Sequence, residues 1–221
     1  MENTFVLEMK GISKSFPGVK ALDHVDLQVR PGTVHMMMGE NGAGKSTLMK
    51  ILNGLYAKDE GKIIYKGQEV VFHNPQRALD AGIAMIHQEL SVVPEMTIGE
   101  NIFLGCEPRK GAFVDYKKLY QDAQALLDKL NVPYDPHEKE GNLTVSGMQQ
   151  IEIAKAISRG ASVVVMDEPT SSLTTKEVEI LFKQIAELKA QNVAIIYITH
   201  LQLHQAQFHR FFLRLRSALA V

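Results

Sequence analysis

Nine consecutive residues, Gly39-Glu40-Asn41-Gly42-Ala43-Gly44-Lys45-Ser46-Thr47, follow the pattern G-x-x-x-x-G-K-[ST]. Before them lies an apolar run of strand length, Thr33 to Met38. After them Ser46 to Leu55 has helical spacing, with Leu48, Ile51, Leu52 and Leu55 on one face. Glycines let such a loop curl so that successive N–H groups point inward, and the following helix sets its positive dipole end beneath an anion. The Lys45 ammonium then reaches the β- and γ-phosphates, and the Ser46 hydroxyl is placed to ligate Mg²⁺. The pattern predicts a nucleoside triphosphate held by Gly39 to Thr47 and demands a strand–loop–helix unit to build the cradle. It leaves open which chemistry follows.

A second constellation answers part of that question. Val163-Val164-Val165-Met166-Asp167-Glu168 places two acids at the end of a buried apolar strand. An open α/β sheet binds ligands beyond the carboxyl ends of its strands, where the phosphate loop also lies. Asp167 is the expected partner of Mg²⁺, and Glu168 is placed to polarise an attacking water.

The remaining pattern supplies the sheet. Strands are expected at Val6 to Met9, Val25 to Val29, Ile83 to Ile86, Ser162 to Met166 and Val193 to Ile198, with a hairpin over Gly61 to Val71 turning at Lys66-Gly67. Thr33 to Met38 reads as a buried central strand. Helices are expected at Pro75 to Ala81, Leu119 to Leu130, Met148 to Arg159 and Lys176 to Ala190. Prolines at 94, 108, 133 and 136 mark a change of character. An inserted, mainly helical subdomain is expected over about 90–160 of an α/β domain spanning 1–200.

Composition narrows the setting. The net charge of −1 carries no basic signature for nucleic acid, and the single cysteine, Cys106, excludes an internal disulfide. No apolar run reaches the roughly 20 residues that span a bilayer. A soluble, cytosolic domain is the expectation.

Five elements now line up in an order that resembles the ATP-binding domains of ABC transporters: the phosphate loop; His87-Gln88-Glu89; Leu143-Thr144-Val145-Ser146-Gly147; Asp167-Glu168-Pro169-Thr170 with Ser171-Ser172-Leu173-Thr174; and His200 after a strand. The resemblance covers residues 5–200. It implies a phosphate-loop NTPase core, a RecA-like sheet with an N-terminal antiparallel β part, plus the inserted helical subdomain. It implies that Gln88 senses γ-phosphate and metal and faces a membrane subunit, and that His200 acts as the switch histidine. Phe16 would stack on adenine. Thr144 and Ser146 would meet the ATP of an opposing domain, since such domains work as head-to-tail pairs. ATP and Mg²⁺ are the implied cofactors. Transmembrane permease subunits and, indirectly, a periplasmic sugar-binding protein are the implied partners, at the cytoplasmic face of a bacterial inner membrane.

The departures narrow the resemblance. Thr144 stands for the signature serine, Ser146 for its second glycine, Gly147 for its glutamine and Thr174 for an aspartate. With Phe16 to Leu22, Gln88 to Ser91, Pro94 to Thr97 and Glu152 to Ala156, these look like the N-terminal half of the tandem ATPases of bacterial monosaccharide importers. The galactose/methyl galactoside type is the nearest, beside ribose and arabinose types. Such importers run to about twice this length. Residues 201–221 break from the pattern: three arginines, no Gly, Pro, Asp, Glu or Lys. A truncated or frame-shifted end and an amphipathic surface segment are both open readings. Two alternatives to import also stand: a soluble ABC ATPase uncoupled from transport, and an ATP-binding fragment without turnover of its own.

Overall fold

A computed structural model describes residues 5–88, 90–171 and 173–199 of the chain. Glu89, Ser172, His200 and the segment 201–221 lie outside the described residues. In chain order the first elements are β1 (Leu7–Phe16), β2 (Val19–Val29), β3 (Val34–Met38), α1 (Lys45–Leu52), β4 (Glu60–Tyr65), β5 (Gln68–Val70), α2 (Pro75–Ala81) and β6 (Ile83–Ile86). Then follow α3 (Ile98–Phe103), a ribbon of β7 (Arg109–Lys110) and β8 (Phe113–Val114), α4 (Tyr116–Lys129), a 3₁₀ turn at Glu140–Asn142, α5 (Val145–Ser158), β9 (Val163–Asp167), α6 (Thr175–Ala190) and β10 (Ala194–Thr199).

Two sheets organise them. One is antiparallel, in the order β2-β1-β4-β5; the other is parallel, in the order β3-β10-β9-β6. The continuous apolar runs of β9 and β10 follow from burial on both faces. Val163, Val165, Ala194, Ile196 and Ile198 face one core, shared with α1 and the antiparallel sheet. Val164, Met166, Ile195 and Tyr197 face a second core with residues of α3 to α6. The period-two alternation of a strand thus divides each run between two cores. The fold is the α/β arrangement expected, with its antiparallel N-terminal part.

Several local expectations are corrected. Among the described residues β3 lies at the edge of the parallel sheet instead of its centre: it pairs there only with β10, and Val34 to Met37 are half-buried while Met38 is exposed. The first helix stops at Leu52 instead of Leu55. Gly54 takes φ +73°, and a Cβ there would sit 2.8 Å from the Phe72 carbonyl oxygen. The chain must turn at that point, and Leu55 is left exposed. β1 and β2 run well past the short strands expected, because register shifts around Gly11 hide their alternation.

The segment before α5 holds one buried charge-bearing group. Glu140 is fully buried, and neither carboxyl oxygen has a hydrogen-bond partner among the described residues. Loss of solvation, reinforced by the Glu152 carboxylate and opposed by Lys155, pushes its pKa to about 7. A carboxyl raised from 4.5 in this way favours folding below the unfolded value, and that contribution is lost as pH climbs from about 4.5 to 7. The loss is of order 3 kcal/mol at most. Thermal melts across pH 4.5–8 are expected to show this downward slope in the native chain and its absence in Glu140→Gln. Equal slopes in the two proteins would refute the assignment.

Candidate nucleotide site

Parallel register brings the motifs to one edge. Met38 lies opposite Thr199, Ile198 opposite Asp167, and Ile86 opposite Met166. The chain therefore leaves β3 into Gly39, β9 into Glu168 and β6 into His87-Gln88 at the same end of the sheet. β10 separates β3 from β9, so the loop and the acids stand about 10 Å apart, two strand spacings. That is the room a triphosphate and its metal need.

The phosphate loop is built around Gly44 and Lys45. Gly44 caps α1 with φ +83°, and a Cβ there would fall 2.7 Å from both the Ala21 carbonyl oxygen and Leu22 Cδ2. Lys45 is buried, and its ammonium donates to the carbonyls of Gly39 (2.6 Å) and Glu40 (2.9 Å). The cation is thereby held inside the curl of the loop. Ser46 is exposed in the first turn, as are Glu40, Asn41, Gly42 and Ala43; Thr47 is half-buried.

The start of α1 is the test of fit for an anion. Helices α2 to α6 are each capped by a side chain: Asn74, Thr97, Asp115, Thr144 and Thr174. α1 has no side-chain cap and no acid in its first turn. Its first N–H groups keep their bonding capacity and its dipole is uncompensated, beside a buried ammonium. That donor set fits a phosphate.

Opposite the loop, the acids are set by a clamped turn. Asp167 ends β9, and Glu168 follows with φ +48°, its N–H donating to the Ile198 carbonyl at 3.1 Å. A left-handed glutamate stores strain, a feature that clusters at functional sites. Two side chains hold the next residues. Gln149 of α5, buried, donates through Nε2 to the Pro169 carbonyl at 2.9 Å, and the hydroxyls of Thr170 and Tyr197 meet at 3.0 Å. Burial raises the Tyr197 phenol far above its usual range, so that hydroxyl stays protonated.

Gln88 is exposed beside these acids. His87, Gln88, Leu90, Ser91 and Asp167 line an open cleft of about 440 Å³. A smaller one joins Gln88 to Val145, Gln149, Glu168 and Ser171. Among the described residues no three His, Cys, Asp or Glu side chains gather as a metal cluster. The hydroxyl, amide and carboxylate of Ser46, Gln88 and Asp167 are hard oxygen donors of the kind Mg²⁺ takes when phosphate oxygens complete its shell.

The other expected residues are placed unequally. Phe16 ends β1, two residues beyond the Lys14–Leu22 pair, and Leu22 is the residue that crowds Gly44. Its ring meets Tyr56 edge-on at 5.3 Å. Thr144 is exposed, accepts the Gly147 N–H at 3.2 Å, and turns its own hydroxyl toward the phenol of Tyr134. Ser146 is buried, with 6% of its surface exposed, whereas Val145 faces solvent. At Gly147 a Cβ would stand 2.7 Å from the Tyr134 hydroxyl, so Tyr134 fills the space a glutamine would enter. Sequence reading missed Gln149 and Tyr134, since one contact spans 20 residues and the other belongs to no motif.

The fold and site define a phosphate-loop nucleotide-binding domain, with two acids and the Gln88 amide at the same end of the sheet as the loop. The chain belongs to the ABC transporter family, whose model matches residues 22–171. It is 57% identical over 199 residues to the galactose/methyl galactoside import ATP-binding protein MglA of Sodalis glossinidius. With the proteins of the same name from Salmonella typhimurium and Escherichia coli it shares 56% and 54% over 196 residues. These alignments cover 89–90% of this chain and 39% of each relative, so the chain spans about two fifths of their length. Among solved structures, an ATP-binding cassette of an ABC transporter in its ADP conformation superposes with a TM-score of 0.75 at 27% identity, covering 89% of this chain and 81% of that one. A nucleotide-free cassette gives 0.76 at 27%, covering 89% and 82%.

Two substitutions probe the geometry. Gly44→Ala is expected to cost about 2–4 kcal/mol through left-handed strain and overlap with the Ala21 carbonyl, and to abolish the rise in Tm that ATP produces. Glu168→Asn should leave Tm unchanged or slightly raised, because asparagine tolerates positive φ. A fall in Tm of more than a few degrees would show that Glu168 is held by stabilising contacts instead of against strain.

Proposed function

We propose that this chain binds and hydrolyses ATP to energise monosaccharide import through an ABC transporter. One observation carries the nucleotide half of the reading: α1 alone among the described α-helices starts without a side-chain cap, and it starts beside the Lys45 ammonium, at the sheet end where Asp167 and Gln88 also leave their strands. The sugar half is supported by 54–57% identity to ATP-binding proteins named for galactose and methyl galactoside import.

In this reading the loop residues Gly39 to Thr47 hold the phosphates, Phe16 meets the adenine, and Ser46, Gln88 and Asp167 hold Mg²⁺, which would neutralise phosphate charge. Glu168 polarises the attacking water, from a turn that is fixed by its N–H bond to Ile198 and by the Gln149 and Tyr197 contacts just after it. His200 completes the set from outside the described residues. Thr144, at the exposed start of α5, would turn its hydroxyl from Tyr134 to the γ-phosphate on a second ATPase domain. Ser146 would join it only after α5 repacks, because its side chain lies inside. The ATPase domain takes in residues 1–200, with 90–160 as its helical part. Permease subunits would meet the chain at the cytoplasmic face of the inner membrane. A cleft of about 140 Å³ that shares His87 with the Asp167 cleft, lined also by Leu79, Ile86, Lys155 and Arg159, suits that contact. A periplasmic binding protein would act through the permease, and the sugar is chosen by those subunits.

A composite site makes a kinetic prediction. The chain alone should bind ATP, while its turnover per molecule should rise with protein concentration, since two copies must meet to complete one site. Glu168→Gln should keep ATP binding and lower turnover by at least about a hundredfold. Turnover unaffected by that substitution would overturn the role of Glu168; ATP binding with no turnover at any concentration would leave the chain a nucleotide-binding fragment.

A further inference from the structure

The ribbon between α3 and α4 has no part in the nucleotide site. β7 and β8 pair Arg109 with Val114 and Lys110 with Phe113, so Lys110 and Phe113 share one face of the ribbon. Phe113 is 80% exposed, the most exposed of the large apolar residues described. Tyr116 is 53% exposed and heads a column of rings: it stacks on Tyr120 at 6.4 Å, and Tyr120 stacks on His137 at 4.0 Å. Tyr116 is therefore backed by a stack of rings reaching into the helical part.

Cations surround it. Arg109, Lys110, Lys117 and Lys118 are all exposed. Only Lys118 has a salt bridge among the described residues, to Asp122 at 2.8 Å. The local acids are otherwise engaged: Glu107 accepts the Gly105 N–H, and Asp115 accepts the Lys118 N–H as the cap of α4. Lys117 and Lys118 also occupy the first turn of α4, where the helix dipole disfavours positive charge. Neither helix stability nor core packing accounts for this arrangement.

We propose that the 109–118 ribbon and helix start form a membrane-surface anchor, with Phe113 and Tyr116 seated at the headgroup level of a bilayer and the cations meeting anionic lipid phosphates. Amphipathic rings beside unpaired Lys and Arg are the chemistry of that interface. The position agrees, and here the inference rests on the permease reading. The ribbon follows α3, whose C-cap residue Leu104 accepts through its carbonyl a hydrogen bond from Arg159 in the wall of the His87 cleft. A permease docked there would bring the ribbon to the bilayer beside it.

The chain contains no tryptophan, so Phe113→Trp provides a single fluorophore at the tip. On vesicles of phosphatidylcholine with a quarter phosphatidylglycerol its emission should shift to the blue and become shielded from an aqueous quencher. On pure phosphatidylcholine it should not. Adding Lys110→Glu and Lys117→Glu should weaken partitioning by about tenfold or more. No shift on anionic vesicles, or a shift indifferent to charge, overturns the proposal. A shift on pure phosphatidylcholine vesicles that appears only when permease is present also overturns it, assigning the tip to a protein partner. ATP binding, measured by Tm on the same variants, reports separately: its loss with partitioning intact counts against the nucleotide reading while supporting the anchor.

Discussion

Everything chemical in this molecule depends on the parallel register of β3, β10, β9 and β6. A parallel strand can be buried on both faces only if helices or a second sheet cover each side, and the apolar runs of β9 and β10 commit the chain to that. Once the register is set, three chain exits fall at one sheet edge without further instruction: Gly39, His87-Gln88 and Glu168. The site is thus a consequence of burying Val163 to Met166 and Ala194 to Ile198. Its polar groups lie where the hydrophobic effect leaves strand ends, and Gln149 and Tyr197 then fix the turn after Glu168 from two different elements.

Within that frame, the distribution of helix caps separates anion-binding from ordinary structure. Five helices satisfy their first N–H groups with a side chain, two of them through a full capping box, Thr97 with Glu100 and Thr174 with Glu177. The cap at Thr174 also explains a departure from the family pattern. Threonine, like the aspartate usual there, is a good N-cap, so the start of α6 survives the exchange. α1 forgoes such a cap and has Gly44, whose missing Cβ lets β2 approach closely. Donors left open at that point are the physical signature of a ligand.

The sequence was most legible where chemistry and burial coincide. The loop at Gly39 to Thr47, the acids after β9 and the apolar strands could be placed because each requires particular residue types in a fixed local order. Legibility failed where structure is set by distant neighbours. The edge position of β3 among the described residues depends on which strands pair with it, and Met36 to Met38 read the same in either place. β1 and β2 carry bulges that break the alternation a strand is recognised by. The 109–114 ribbon has strands of two residues, too short to show any period. α3 does carry a local signal, the T-x-x-E of Thr97 to Glu100 that forms its capping box. Gln149 and Tyr134 left none, since their contacts reach Pro169 and Gly147 from far along the chain.

The two helix starts at the heart of the proposed composite site are unequal. α1 offers open N–H groups, a dipole and the Lys45 ammonium together, and can hold a phosphate within one chain. At the start of α5 the Gly147 N–H is already satisfied by Thr144 and the Thr144 hydroxyl is engaged with Tyr134, so that end offers its dipole but fewer open donors. A phosphate has more to gain at α1 than at α5 by at least one charge-assisted bond and one full cation. Under the composite reading, nucleotide must therefore settle on the loop of one chain first, and the opposing α5 joins an anion already in place. The buried Ser146 sharpens the asymmetry, because a second hydroxyl becomes available only if α5 moves. Association of the two domains would then follow nucleotide binding, driven by charge that the loop alone leaves uncompensated.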